Sequence, residues 1–229
     1  MLDLTVIILT KDERLHIERC LERLLPLAAK RVLVVDCHST DGTQAIVENF
    51  SREERVGRVE IKVVEHEWPG LYAVQFNWAL ENAGITTGWV LRLDADEYLS
   101  KGAIAELREK LPSSAPDISA FSLPLARTWM QSPVFHGVGN VVLTRVFRFG
   151  KAKIESRFMD EHVEVLEGKV VQLKHPFVDD NLNDLEWWTK KHLNYALREA
   201  LDLLQMVFST LIRSTKPIPS KFAVSELRP

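Results

Sequence analysis

Along the first hundred residues, apolar positions fall into short, nearly unbroken runs separated by stretches of helical spacing. Leu4 to Leu9 is almost wholly apolar and rich in β-branched residues, the pattern of a parallel strand buried on both faces. It ends at Thr10-Lys11-Asp12-Glu13, after which Leu15, Cys20, Leu21, Leu24 and Leu25 recur at helical spacing up to Pro26. Val32 to Val35 repeats the strand pattern and closes at Asp36. The polar turn Cys37-His38-Ser39-Thr40-Asp41-Gly42-Thr43 then offers several N-caps for a helix through Ile46, Val47 and Phe50. Val59 to Val64 is a third strand. Beyond the Pro69-Gly70 break, the spacing predicts a helix from Leu71 to Ala83 that buries Leu71, Val74, Trp78 and Leu80 and stops at Gly84. Trp89-Val90-Leu91-Arg92-Leu93 is strand four, and a helix from Ala103 to Leu111 is ended by Pro112. Strands alternating with helices over short connections predict a parallel sheet with right-handed crossovers, of nucleotide-binding type.

From Ile118 the rhythm changes to strand-like pieces at Ile118–Leu123, Val134–Val138 and Val141–Phe149. Glu167-Gly168, between His162–Leu166 and Lys169–Leu173, is a two-residue hairpin signal. After Asn181 the pattern is helical, with Leu185, Trp188, His192, Tyr195 and Leu203 at periodic positions. Its plain reading is a packing helix. Its second reading, from Lys190, Lys191 and Arg198 beside aromatic and aliphatic residues, is a foot resting on anionic lipid. The fold class is therefore α/β: a mostly parallel central sheet flanked by helices, with an antiparallel C-terminal part and a terminal helix. The expected organisation is one domain over residues 1–229, with a nucleotide-binding half (1–117), an acceptor-side half (118–181) and a C-terminal helix and tail (182–229).

Composition narrows the class. Of 229 residues, 46% are hydrophobic and 27% charged, as in soluble globular proteins, and a net charge of -3 without Lys/Arg runs provides no field for nucleic acid. Two cysteines are too few for a disulfide framework, so a reducing cytoplasm is expected. No secretory signal follows Met1 and no apolar run reaches the length of a bilayer span, so the protein is expected to be cytoplasmic, at most peripheral to a membrane.

The acidic end of strand four is the centre of the candidate chemistry. Asp94 and Asp96, spaced i, i+2 on a tightening turn, can share one hard cation whose open positions take up a diphosphate. Alternatively, Asp94, Asp96 and Glu97 cap the helix beginning near Ser100. In an open parallel sheet the four strand ends share one edge, where ligands bind. Thr10, Glu13, Asp36, Asp41, Asp94 and Asp96 would all converge there, which favours the metal site. His66 and His162 lack metal-ligand spacing and read as hydrogen-bonding loop residues, His162 with scope to orient neighbouring carboxylates. Trp129, Trp187 and Trp188 read as core or interface, with Trp68, beside Pro69-Gly70, the candidate sugar platform. Cys37 has no catalytic His-Asn pattern near it.

Taken in order, the motifs resemble a known family. Thr10-Lys11-Asp12-Glu13, Val34 to Thr43 and Leu93-Asp94-Ala95-Asp96-Glu97 are similar to the donor-site motifs of family 2 glycosyltransferases with the GT-A fold. Glu65-His66-Glu67-Trp68-Pro69-Gly70 with Gln75-Phe76-Asn77 resembles the branch that includes lipopolysaccharide-core and exopolysaccharide transferases. Met159-Asp160-Glu161-His162, Val178-Asp179-Asp180-Asn181 and Lys191 to Ala200 resemble its later part. The likeness spans roughly residues 3 to 200. Cys37-His38 departs from the small polar or glycine-containing pair more usual there.

The resemblance implies a GT-A type, Rossmann-like sheet and an inverting transfer from a nucleoside-diphosphate sugar to a hydroxyl of a glycan or glycolipid acceptor, in cell-surface polysaccharide or lipopolysaccharide synthesis. By the same resemblance Asp36 would hydrogen-bond the nucleobase, with Thr10, Glu13, Asp41 and Gln75 in the donor pocket. Asp94 would meet the ribose or the metal's water shell, and Asp96 would ligate Mg²⁺ or Mn²⁺ at the diphosphate. Asp160 is the expected base and Glu161 the second candidate. Two other classes remain open on the residues alone: an aspartyl phosphatase with Asp94 as nucleophile and Asp179-Asp180 as a second acidic pair, and a non-catalytic nucleotide-sugar-binding module.

Overall fold

Each of the four apolar runs is a strand in the computed structural model, which describes residues 1–137, 140–157 and 161–212. β1 (Leu2–Thr10), α1 (Ile17–Leu24), β2 (Ala29–Asp36), α2 (Thr43–Ser51), β3 (Glu60–Glu65), α3 (Tyr72–Asn82) and β4 (Trp89–Asp94) form the β-α half. They are followed by β5 (Glu97–Leu99), α4 (Lys101–Ser113), β6 (Ile118–Trp129), β7 (Ser132–Pro133) and β8 (Val142–Arg148). β9 (Ala152–Ile154), β10 (Val163–Val165), β11 (Lys169–Gln172), β12 (Phe177–Asp179) and α5 (Leu185–Ile212) complete the described chain.

The main sheet runs β3-β2-β1-β4-β8-β6-β12-β5. β3, β2, β1 and β4 are mutually parallel, and β8 returns antiparallel between β4 and β6. One sheet thus joins the β-α half to the antiparallel half. β1 alternates across it: Leu4, Val6 and Ile8 pack with α1, α2 and α4, while Ile7 packs with α3. Burying one such side chain contributes about 1.5–3 kcal/mol, so a strand enclosed on both faces holds its register firmly.

Four expectations are corrected. Helix α3 buries Ala73, Gln75, Phe76 and Ala79, while Val74 is exposed and Leu71, Trp78 and Leu80 are half-buried. The small side chains at 73 and 79 let the helix lie close to the sheet. Helix α4 continues through Pro112 to Ser113, where Ser113 Oγ donates to Glu109 O (2.9 Å) and Ser114 Oγ to Lys110 O (2.6 Å), satisfying carbonyls at the helix end. The expected strand Val134–Val138 is not found: β7, paired with β6, covers only Ser132–Pro133, no strand runs over 134–137, and Val138 lies outside the described residues. Glu167-Gly168 is not a hairpin. Leu166 N donates to Lys151 O, extending the β9-β10 pair, whereas Lys169 N donates to Asp117 O and starts β11 alongside β6. The chain changes sheets at Gly168, whose φ of +85° and close approach to Ser119 leave no room for a side chain.

Helix α5 is only partly a packing helix. Trp187, Lys191 and Tyr195 are half-buried, but Leu193, Leu197, Leu204, Val207 and Phe208 are exposed. Among the described residues no helix is long and apolar enough to cross a membrane.

Candidate active site

The β-sheet register sets the site. Thr10 lies opposite Asp36, Asp36 opposite Glu65, and Leu9 opposite Asp94, so the carboxyl ends of β1, β2, β3 and β4 share one edge. Beyond this edge opens a hollow of about 1620 Å³. Thr10, Glu13, Asp94, Asp96 and Glu161 line it, as do Arg127 and Asp179 from the antiparallel half and Lys191 from α5.

The loops that follow β1 and β2 are clipped together. Asp12 N donates to Ser39 Oγ (2.8 Å), Thr40 N to Asp12 Oδ1 (2.8 Å), Glu13 N to Thr43 Oγ1 (2.9 Å) and Arg14 N to Asp41 Oδ2 (2.9 Å). Asp41 also accepts from Thr43 N and Thr43 Oγ1, so its carboxylate is spent on the loop and it does not line the hollow. Asp36 is fully buried and accepts from Thr10 Oγ1, Ser39 N, Ser39 Oγ and Gln44 Nε2. A carboxylate has about four lone-pair sites, and here all four are taken. Burial alone would raise its pKa, but the bonds from Gln44, Ser39 and Thr10 outweigh this and hold it below the usual value. The expected direct contact of Asp36 with a nucleobase would displace one of these donors. Gln75 is likewise buried behind the lining, where Nε2 donates to Cys37 Sγ (3.2 Å) and Oε1 meets His66 Nδ1 (2.6 Å). The Cys37 thiol, pushed up to about 11 by burial and then by the charge of Asp36, stays protonated.

The acidic end of β4 does not cap α4. Ser100 does so, its Oγ accepting from Ala103 N (3.2 Å), and β5 intervenes. Three different environments separate the three acids. Asp94 Oδ1 accepts from Tyr72 OH (2.7 Å), and although burial raises its pKa, Arg92 and Arg145 hold it below the usual value. Asp96 Oδ2 accepts from Asn181 Nδ2 (2.8 Å) and otherwise faces the hollow. Glu97 accepts from Asp94 N (2.9 Å) and pairs with Arg145 (2.5 Å); both members of the pair are about 95% buried. Burial raises the Glu97 pKa in spite of Arg145.

Across the hollow, Glu13 pairs with His16 Nδ1 (2.6 Å), and His16 Nε2 accepts from Leu182 N, which puts the ring proton on Nδ1. Burial, and then Asp96, raise the pKa of Glu13 despite His16. Burial together with the charge of Asp96 raises Asp179 to about 6. Asp180 is instead fixed by Arg19 (2.7 Å) and Thr128 (2.5 Å), so Asp179 and Asp180 do not act as a pair. Among the described residues, no group of three or more His, Cys, Asp or Glu is arranged to hold a metal by itself. The acids fit a cation shared with a ligand, because Asp94, Asp96, Glu13 and Asp179 all line the hollow and Asp96 accepts from one side-chain donor, Asn181.

Asp160 lies outside the described residues. Glu161 lines the hollow, and its carbonyl accepts from Arg92 Nη1 (2.8 Å), while Arg92 Nε donates to Tyr72 OH (3.1 Å). His162 pairs with Glu155 (2.7 Å). Trp129, Trp187 and Trp188 are not core: with Trp68 they line the hollow, Trp129 edge-on to Trp188 at 4.9 Å. Tyr72 and Arg92 were not among the expected site residues, while Asp179 was expected only as half of a phosphatase's second acidic pair and Lys191 only as a cation on a lipid-facing helix. The one usable signal was a buried arginine inside the apolar run of strand four, since a charge there needs partners.

Sheet order and antiparallel return make this a GT-A fold, and solved glycosyltransferases share it. The mannosyltransferase PcManGT from Pyrobaculum calidifontis, solved with GDP-Man and Mn²⁺, superposes with a TM-score of 0.58 at 20% identity, over 95% of this chain and 66% of its own. TarS from S. aureus superposes at 0.51 and 17% identity, over 79% of this chain and 60% of that one. The chain belongs to glycosyl transferase family 2, whose sequence model matches residues 5–128. It is 32% identical over 117 residues to the lipopolysaccharide core biosynthesis glycosyltransferase LpsC of Rhizobium meliloti (strain 1021), a match covering 51% of this chain and 40% of that protein. The chain spans less than half the length of the curated relatives it matches.

Proposed function

We propose that the protein is an inverting glycosyltransferase that moves a sugar from a nucleoside-diphosphate donor to a hydroxyl of a glycan or glycolipid, in lipopolysaccharide or cell-surface polysaccharide synthesis. The observation that carries this is the gathering of Glu13, Asp94, Asp96 and Asp179 round one hollow at the carboxyl edge of a family 2 sheet. Likeness to LpsC supports the lipopolysaccharide branch. The aspartyl-phosphatase alternative has no support from the family, and its second acidic pair is taken apart by Arg19 and Thr128.

Thr10 and Cys37 line the nucleotide end, and Asp36, Asp41 and Gln75 serve it by holding its walls. Asp96, with Asp94, would hold Mg²⁺ or Mn²⁺. When bound, such an ion stabilises the negative charge of a leaving diphosphate without a proton transfer. Asp160 takes the proton of the acceptor hydroxyl as its oxygen bonds to the anomeric carbon and the bond to the diphosphate breaks, with Glu161 the second candidate. Arg92, bonded to the Glu161 carbonyl, supports this by tying Glu161 to the acids of β4. The exposed apolar positions of α5 support contact with a lipid surface carrying the acceptor.

Calorimetry with UDP, GDP and dTDP, with and without Mn²⁺, tests the donor side. Asp96→Asn is expected to abolish the metal-dependent part of binding, and binding unchanged by both the variant and Mn²⁺ would remove the metal role. Asp160→Asn is expected to keep nucleotide affinity while transfer falls by about 10²–10⁴-fold. Undiminished turnover would shift the base to Glu161.

A further inference from the structure

Helix α5 presents two unlike faces. On one, Leu193, Leu197 and Leu204 are exposed; on the other, Trp187, Lys191 and Tyr195, spaced i, i+4, i+8, turn toward the hollow. Lys191 Nζ sits 4.6 Å from the Trp187 ring centroid and 5.4 Å from that of Tyr195. Rings one turn before and one turn after hold the side chain, so the ammonium is aimed into the hollow rather than at solvent. Its neighbour Lys190 shows the contrast, being paired with Glu186 at 2.7 Å on the exposed surface.

Lys191 shares the hollow with Glu13, Asp94, Asp96 and Asp179, and its charge is felt by Glu13, Asp94 and Asp179. Its ammonium also interacts with the Tyr195 side chain, and among the described residues it forms no ion pair with any of these acids. A cation held near acids yet out of contact leaves a gap with positive charge on one side and negative charge on the other. A metal ion against the carboxylates, carrying phosphate oxygens toward Lys191, would complement both sides; a neutral sugar would complement neither.

We propose that Lys191 binds the terminal phosphate of the donor's nucleoside diphosphate, closing from α5 a site whose other walls belong to the sheet. This deepens the proposed function and rests on it. Lysine suits the role as a compact point charge with three donors, able to follow the phosphate as it becomes the leaving group.

The test compares nucleoside diphosphates with their monophosphates, UDP with UMP and GDP with GMP, each with Mn²⁺, by calorimetry on the full chain and on Lys191→Met and Lys191→Arg. For Lys191→Met the preference for diphosphate over monophosphate is expected to fall about tenfold with monophosphate affinity unchanged, and Lys191→Arg is expected to restore most of it. Equal losses for diphosphate and monophosphate, or a Lys191→Met that binds diphosphate as the parent does, would overturn the assignment alone. A parent protein that binds none of these nucleotides would overturn the proposed function and the assignment together.

Discussion

The carboxyl edge of β1–β4, the donor edge of the proposed function, and the α5 wall border one hollow, yet they are built in opposite ways. On the donor edge, polar groups are consumed by one another: Asp36 by four donors, Asp41 by Arg14 and Thr43, and Glu97 by Arg145 and the backbone of Asp94. On the α5 wall, Trp188 and Trp129 are partly exposed, and Lys191 reaches into the hollow without an ion pair among the described residues. Such a difference suits a site with one fixed side and one adaptable side. In the proposed function the fixed side would hold a constant part of the donor, and exposed aromatic faces would suit the acceptor.

The largest test of the contrast is Arg145→Met. It strands Glu97 in the interior, and an uncompensated buried partner costs about 3 kcal/mol, at the low end of the usual range because Glu97 can take up a proton. Urea unfolding should show that loss; a change below about 1 kcal/mol would mean that the donor edge is not held by its internal pairs.

Asp179, between the two regions, gives a smaller and pH-dependent effect. Its folded pKa of about 6 lies above the model-peptide value of 3.8, so the folded protein binds the proton more tightly than the unfolded chain. Its ionised form therefore costs stability above pH 6, a cost that shrinks as pH falls toward 3.8. Asp179→Asn is expected to melt roughly 3 °C above the parent at pH 7.5, with the gain fading at pH 4. A gain independent of pH would place Asp179 in an ordinary polar setting.

The smallest effect belongs to the adaptable side. Trp188→Ala removes an edge contact with Trp129 and a stack on His192, both partly in solvent, and should cost only about 0.5–1 kcal/mol in urea. A loss as large as that of Arg145→Met would erase the distinction between the two walls.

Much of the donor edge was legible because parallel strands bury continuous apolar runs, and their abrupt polar ends mark the edge where loops gather. Leu4 to Leu9, Val32 to Val35 and Trp89 to Leu93 have that form, and the register places Thr10, Asp36 and Asp94 together. The antiparallel half was less legible because short strands of ambiguous pattern choose partners by long-range pairing: Glu167-Gly168 resembles a turn between neighbours, but its flanking strands belong to different sheets.

By itself, then, the sequence determined where strands begin and end and which acids stand at their ends, because burial on two faces leaves few residues able to occupy those positions. Only the tertiary structure decided which of those acids remain open to the hollow. Asp36 and Asp96 are both acids at the ends of strands, but the first is enclosed by hydroxyl and amide donors from neighbouring loops, while the second meets Asn181 and the hollow. That division depends on partners brought from as far as 85 residues away, which local patterning cannot specify.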